Sequence, residues 1–267
     1  MTIDLFTVRS VLFLPASNPR AIAKARTLAA DLVILDLEDA VRPADKVAAR
    51  QGAVRALNEP WGVPVAVRIN GVGSEWHGAD LEAVTHCNVP LIVVPRASSA
   101  GDVRGAAELT GRPVLAMIET AAGVLAAAAI APFTVGLIAG TNDLAADLQL
   151  PPRAGRGPLQ TALQTIVLAA RAARVAVFDG VYNRLDDAEG FAAECDEGRK
   201  LGFDGKSLIH PNQVDACNHA FSPTEEEVER ASRLVYAFNG GAERFEDEMI
   251  ERMHVEAARR LLARARA

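Results

Sequence analysis

Four acids in this sequence share one kind of position, just after a short apolar run. Glu38 and Asp39 follow LVILDL (32–37), Glu119 follows PVLAMI (113–118), and Asp143 follows TVGLIA (134–139) across Gly140-Thr141-Asn142. Arg68 lies near the end of PVAVRI (64–69), Arg96 follows LIVVP (91–95), and Asp179 in VAVFDG (175–180) and Lys206 in DGKSLI (204–209) are read with them at the same rim. Charges gathered at one end of apolar runs are costly unless paired, ligated or wet. Glu119 and Asp143 follow consecutive runs. On neighbouring strands about 4.8 Å apart, both carboxylates can reach one ion at the roughly 2.1 Å that Mg²⁺ demands. Water and substrate oxygens would then fill its other positions. The same spacing also suits Glu119 capping the helix that follows it and Asp143 pairing with an arginine. Arg68 offers a planar, permanently charged fork suited to a substrate carboxylate, and it can at the same time bridge to Glu38 or Asp39. Asp36, inside its apolar run, reads as a buried hydrogen-bonding group. His210 before Pro211 has the chemistry of a general base, but a lone histidine at a strand–helix junction is more often structural, and it is read so here.

The elements that must position these residues are legible as eight β-rich runs. They are 10–15, 32–37, 64–69, 91–95, 113–118, 134–139, 175–180 and 204–209. Each is almost continuously apolar rather than alternating, as parallel strands buried on both faces are. Helix-length segments separate them, among them 19–30, 43–57 and 158–175. Strict β–α alternation with eight strands predicts an α/β fold, a closed (β/α)8 TIM barrel, whose chemistry sits at the strands' C-terminal ends. No GxGxxG opens the first helix, which speaks against a dinucleotide-binding sheet. Residues 1–220 are read as the barrel and catalytic domain. Residues 221–267 are read as a C-terminal helical extension that packs on a neighbouring subunit. Its helices are expected to start at Ser222 or Thr224 and, after Gly240-Gly241, at Glu246.

The bulk numbers exclude several classes. With 267 residues, 50% hydrophobic and 23% charged, the chain is ordinary globular sequence of one-barrel size. A net charge of −6 leaves no electrostatic footprint for nucleic acid, and no apolar run approaches the length of a membrane span. Cys87, Cys195 and Cys217 are odd in number and far apart, against a disulfide framework or a CxxC metal site. MTIDLFTVRS lacks the basic-then-apolar pattern of a secretory leader, so a cytoplasmic location is expected.

Taken together, six segments resemble the citrate lyase β-subunit-like family of the HpcH/HpaI aldolase superfamily. They are RSVLFLPASNPR (9–20), LVILDLEDAV (32–41), VRIN (67–70), MIETAAGV (117–124), GTNDLAADL (140–148) and GFDGKSLIHPNQV (202–214). The resemblance implies a divalent ion, Mg²⁺ or Mn²⁺, on Glu119 and Asp143. It implies Arg68 as the residue binding the substrate's carboxylate or keto acid, with Glu38 and Asp39 holding metal-bound waters and orienting Arg68. Arg20 resembles a contact to the thioester side of coenzyme A, with Lys24 and Lys46 as weaker contacts to its phosphates. The implied reaction is retro-Claisen cleavage of a 3-hydroxyacyl thioester of the citryl-, citramalyl- or malyl-CoA type, giving an acyl-CoA and an α-keto acid. The alternatives are an aldolase acting on free keto acids and a carrier-dependent or non-catalytic subunit of a larger lyase complex, in which an acyl carrier protein replaces coenzyme A. A homotrimer is the implied assembly. The chain departs from the longer CoA lyases at MIER (249–252), where Glu251 stands in place of an aspartate followed by proline. Glu251 is therefore either an acid/base that reaches a partner's site or a surface residue of its helix.

Overall fold

The computed structural model describes residues 3–265. Eight strands close into one parallel barrel in chain order: β1 (Ser10–Pro15), β2 (Leu32–Asp36), β3 (Val65–Arg68), β4 (Leu91–Val94), β5 (Val114–Ile118), β6 (Gly136–Ala139), β7 (Ala176–Asp179) and β8 (Gly205–Leu208). Closure is made by β1 against β8, with Ser10 beside Lys206 and Leu12 beside Leu208. The helices of this unit are α1 (Pro19–Ala25), α2 (Lys46–Leu57), α3 (His77–Thr85), α4 (Ala100–Thr110), α5 (Ala121–Ile130), α6 (Thr141–Asp147), α7 (Gln160–Ala173), α8 (Ala188–Leu201) and α9 (Val214–Phe221). All eight expected strands are present, most of them trimmed by a residue or two at the ends.

Side chains alternate between the two faces of a strand, and that alternation builds the interior. Val11 and Phe13, Leu32 and Ile34, Leu115 and Met117, and Ala176 and Phe178 point inward and fill the barrel together with Leu5 and Val8. The residues between them, such as Leu12, Val33, Ile92 and Leu137, are equally buried beneath the helices. Helix ends follow local chemistry. Asn18 caps α1, Ser99 and Asp102 form a capping box at α4, and Gly111 closes α4 at φ 65°, a conformation glycine adopts without steric cost.

Residues 1–220 and 221–267 form two compact units. In the second, α10 (Glu225–Ala237) starts from a capping box of Thr224 and Glu227. Next come β9 (Glu243–Phe245) and β10 (Glu248–Ile250), an antiparallel pair, and then α11 (Arg252–Arg264). The helix expected from Glu246 is thus a hairpin turn, and α11 begins only at Arg252. The pairing buries Phe245 and Ile250 against Leu234 and Val255, a gain that helix propensity in ERFEDEMI cannot match. Among the described residues, no helix is long and apolar enough to cross a membrane.

Candidate active site at the C-terminal mouth of the barrel

Continuing the inward alternation by one step beyond Ile34, Ala66 and Met117 gives Asp36, Arg68 and Glu119. Beyond Ile138 and Gly205 it gives Gly140 and Ser207. All five line a cavity of about 330 Å³, together with Asp39, Asn142 and Asp143. The acids on one rim are therefore the consequence of strand parity.

Arg68 is nearly buried and pairs in bidentate fashion with Asp36, Nε to Oδ1 at 2.7 Å and Nη2 to Oδ2 at 2.6 Å. Asp36 also accepts the backbone N–H groups of Glu38 and Ala40, so it fixes both the guanidinium and the loop that follows β2. The remaining Nη1 lies 3.0 Å from Glu38 Oε2 and 3.9 Å from Asp39 Oδ2. Burial opposes the charge on Arg68, but Asp36, Glu38 and Glu119 hold its pKa above the ordinary value. Glu38 is pushed up to about 8 by burial, against the pull of Arg68.

Glu119 is 1% exposed. Its Oε1 accepts the backbone N–H of Arg96 at 2.6 Å, whereas its buried Oε2 has no hydrogen-bond partner. Burial, with Asp143 nearby, raises its carboxyl to about 7. Asp143 is also raised, chiefly by burial and by the charge of Asp39. Its ion pair is with Arg96 Nη1 at 3.4 Å. Gly140 lets the two elements meet, since a Cβ there would overlap Glu119's Cβ and Oε2. Asp147, one turn after Asp143, accepts the N–H of Ala121 at 2.7 Å and so ties α6 to the start of α5. Among the described residues no group of three or more His, Cys, Asp or Glu could hold a metal ion, so an ion here would rest on two carboxylates.

Other expectations change. Asp179 and Lys206 were read at the rim, but they lie at odd steps from Phe178 and Gly205 and face outward. Lys206 is fully buried, 2.9 Å from Asp179 Oδ2 and 2.7 Å from Glu194 Oε1. Arg156 completes that network, 2.8 Å from Asp179 Oδ1. Lys46 is no phosphate contact, because its buried ammonium donates to the carbonyls of Leu37 and Glu38 and to Asn70 Oδ1. It thereby fixes the loop carrying Glu38 and Asp39, a role unread in the sequence. His210 hydrogen-bonds Asn212 and caps a 3-10 turn, in keeping with its structural reading. Arg20 and Lys24 are exposed on α1 and do not line the cavity. A second pocket of about 410 Å³ beside them holds Ser17, Arg42 and Arg55. Glu251 is exposed in the second unit, where it precedes α11 and its N–H donates to His254 Nδ1. Asn142 and Asn183 exchange amide hydrogen bonds at 2.6 and 3.3 Å and link the start of α6 to the loop after β7, again without a sequence signal.

A closed parallel barrel with carboxylates and arginines gathered at its C-terminal mouth defines an enzyme of the TIM-barrel class. Residues 9–211 match the family described as HpcH/HpaI aldolase/citrate lyase, and the chain belongs to that family. Residues 156–267 also match a family described as carbon–carbon bond lyases of the TIM-barrel fold. The (3S)-malyl-CoA thioesterase of Cereibacter sphaeroides strain KD131 is 43% identical over 270 residues, covering 97% of this chain and 95% of its own. The citrate lyase subunit beta of Escherichia coli K12 is 32% identical over 282 residues, covering 97% and 93%. The crystal structure of protein CitE from Mycobacterium tuberculosis, in complex with magnesium, acetoacetate and coenzyme A, superposes with a TM-score of 0.85. It is 36% identical and covers 97% of this chain and 98% of its own.

Proposed function

We propose that this protein is a Mg²⁺-dependent lyase that cleaves a 3-hydroxyacyl-CoA thioester of the malyl type into an acyl-CoA and an α-keto acid. The observation that carries this is the buried, unpartnered Oε2 of Glu119, in a cavity that Asp143 and Arg68 also line. An unpaired buried carboxylate oxygen is costly, and a hard divalent cation relieves that cost. Mg²⁺ suits a donor set of one or two carboxylates that leaves room for water and substrate oxygens. The solved relative was crystallised with magnesium, acetoacetate and coenzyme A, which supports the same ligand classes here.

On this reading Glu119 and Asp143 hold the ion, which when bound polarises the substrate's hydroxyl and carboxylate. Arg68, locked by Asp36, presents Nη1 to the substrate carboxylate, and Glu38 and Asp39 keep it aimed. Cleavage removes the hydroxyl proton and moves the C–C electron pair to the carbon next to the thioester, which then takes up a proton. Arg20 and Lys24 are proposed as coenzyme A contacts. The extension is proposed to meet a second copy in a homotrimer, with Glu251 as the acid/base there.

A second reading, hydrolysis of the same thioester, is favoured by the 43% identity to proteins named (3S)-malyl-CoA thioesterase. Incubation of purified protein with malyl-CoA, with and without EDTA, separates the two. Lysis releases glyoxylate and acetyl-CoA. Hydrolysis releases malate and a free thiol. Turnover that persists unchanged in EDTA would remove the ion from either reading.

A further inference from the structure

Arg96 touches both carboxylates of the proposed cation site, and it does so with different parts of itself. It follows β4 at φ 50°, in the left-handed region that residues other than glycine seldom enter. That conformation accompanies a short bond from its N–H to Glu119 Oε1, 2.6 Å. Its guanidinium reaches the other way, to Asp143 Oδ1 at 3.4 Å, with Arg96 52% and Asp143 35% exposed. The first contact is short and belongs to the backbone. The second is long, wet and carried by a flexible side chain, so it is readily exchanged. Arg68 acts on Asp143 only from a distance, since two of its nitrogens hold Asp36 and its Nη1 lies against Glu38 and Asp39.

We propose that Arg96 is the resident counter-ion of this site: its guanidinium neutralises Asp143 when no divalent cation is bound and leaves when one binds, so that it sets the site's cation affinity. This rests on the reading of Glu119 and Asp143 as cation ligands. A cation and a guanidinium cannot both take the same oxygen of Asp143, and the displaced side chain can swing into solvent. The strained backbone meanwhile keeps Glu119 Oε1 occupied, which leaves Oε2 as the oxygen free for the cation.

Glycine adopts φ 50° without steric cost, so Arg96→Gly deletes the counter-ion while sparing the N–H. Arg96→Gln deletes the charge and keeps a polar side chain. Arg104→Gln removes an equal charge from an exposed pair with Glu108 on α4 and controls for net charge. Mg²⁺ binding to the metal-free proteins is measured by calorimetry, without substrate or turnover. Both Arg96 variants are expected to bind Mg²⁺ about two- to fivefold more tightly than wild type, the scale of an exposed ion pair. Arg104→Gln is expected to match wild type. Unchanged or weaker binding in the Arg96 variants, or equal tightening in Arg104→Gln, overturns the counter-ion role while leaving the cation site standing. Absence of Mg²⁺ binding by wild type overturns the cation site itself.

Discussion

Arg68 shows how a single side chain is prepared for one task. Two of its nitrogens are spent on Asp36, and one faces the cavity between Glu38 and Asp39. A lysine would keep the charge but could not hold both Asp36 oxygens and still present a donor in a fixed direction. Arg68→Lys is therefore expected to lower kcat/KM by about a hundredfold, the usual scale of a misplaced anchor. A loss of less than about threefold in steady-state kinetics would show that the fork is dispensable. Gly140 acts by lacking a side chain. Its Cβ position is already filled by Glu119, so Gly140→Ala must displace that carboxylate. Mg²⁺ affinity is expected to fall at least about tenfold, with a stability loss of about 1–3 kcal/mol. Gly105 on α4 has open space around it, and Gly105→Ala is expected to raise stability by up to about 1 kcal/mol. Calorimetry and urea titration of the pair separate a local collision from a general effect of alanine.

Between strand and helix the decisive variable is parity. Lys206 and Asp179 lie one step out of phase with the cavity and instead join β7 and β8 to α8 through Glu194. Lys206→Met would take the buried ammonium from Asp179 and Glu194 and leave them the Arg156 guanidinium, 2.8 and 3.4 Å away. The expected cost is about 3–5 kcal/mol, read as a shift of the urea midpoint. A change below about 1 kcal/mol would mean that the network relaxes around the loss. The same parity explains what the sequence could and could not disclose. Eight nearly continuous apolar runs revealed the strands because each is buried on both faces. That very continuity erased the alternation that tells inside from outside, so Asp179 and Lys206 looked like rim residues beside Glu119. Stepping in twos from Phe178 or Gly205 separates them, once the inward residues are known. Lys46 was hidden for another reason, since its partners are the carbonyls of Leu37 and Glu38, which carry no sequence signal. The hairpin at 243–250 was obscured because its strands are only three residues long and half of their residues are charged.

At the scale of the whole molecule, the site strains the fold that carries it, and pH exposes that strain. Glu119 rises from the ordinary 4.5 to about 7 and Glu38 to about 8, each chiefly through burial. A carboxyl raised on folding binds its proton more tightly in the folded state than in the unfolded chain. By linkage, its contribution to stability is full below the unfolded value and is lost as pH rises through the folded one. The metal-free protein should therefore lose stability between about pH 5 and pH 8, by roughly 5 °C or more in Tm. Mg²⁺ reverses the sign of that demand, because it binds the ionised carboxylates. Its stabilisation should be small at about pH 5, where Glu119 is protonated, and larger at about pH 8. Glu119→Gln should lessen the metal-free pH dependence, leaving the part that Glu38 contributes, and abolish the Mg²⁺ response. Melting curves of both proteins, with EDTA and with Mg²⁺, at the two pH values provide the measurement. A wild-type Tm that climbs from pH 5 to pH 8 without metal, or a Mg²⁺ shift equal at both, would refute the coupling of Glu119 ionisation to cation binding.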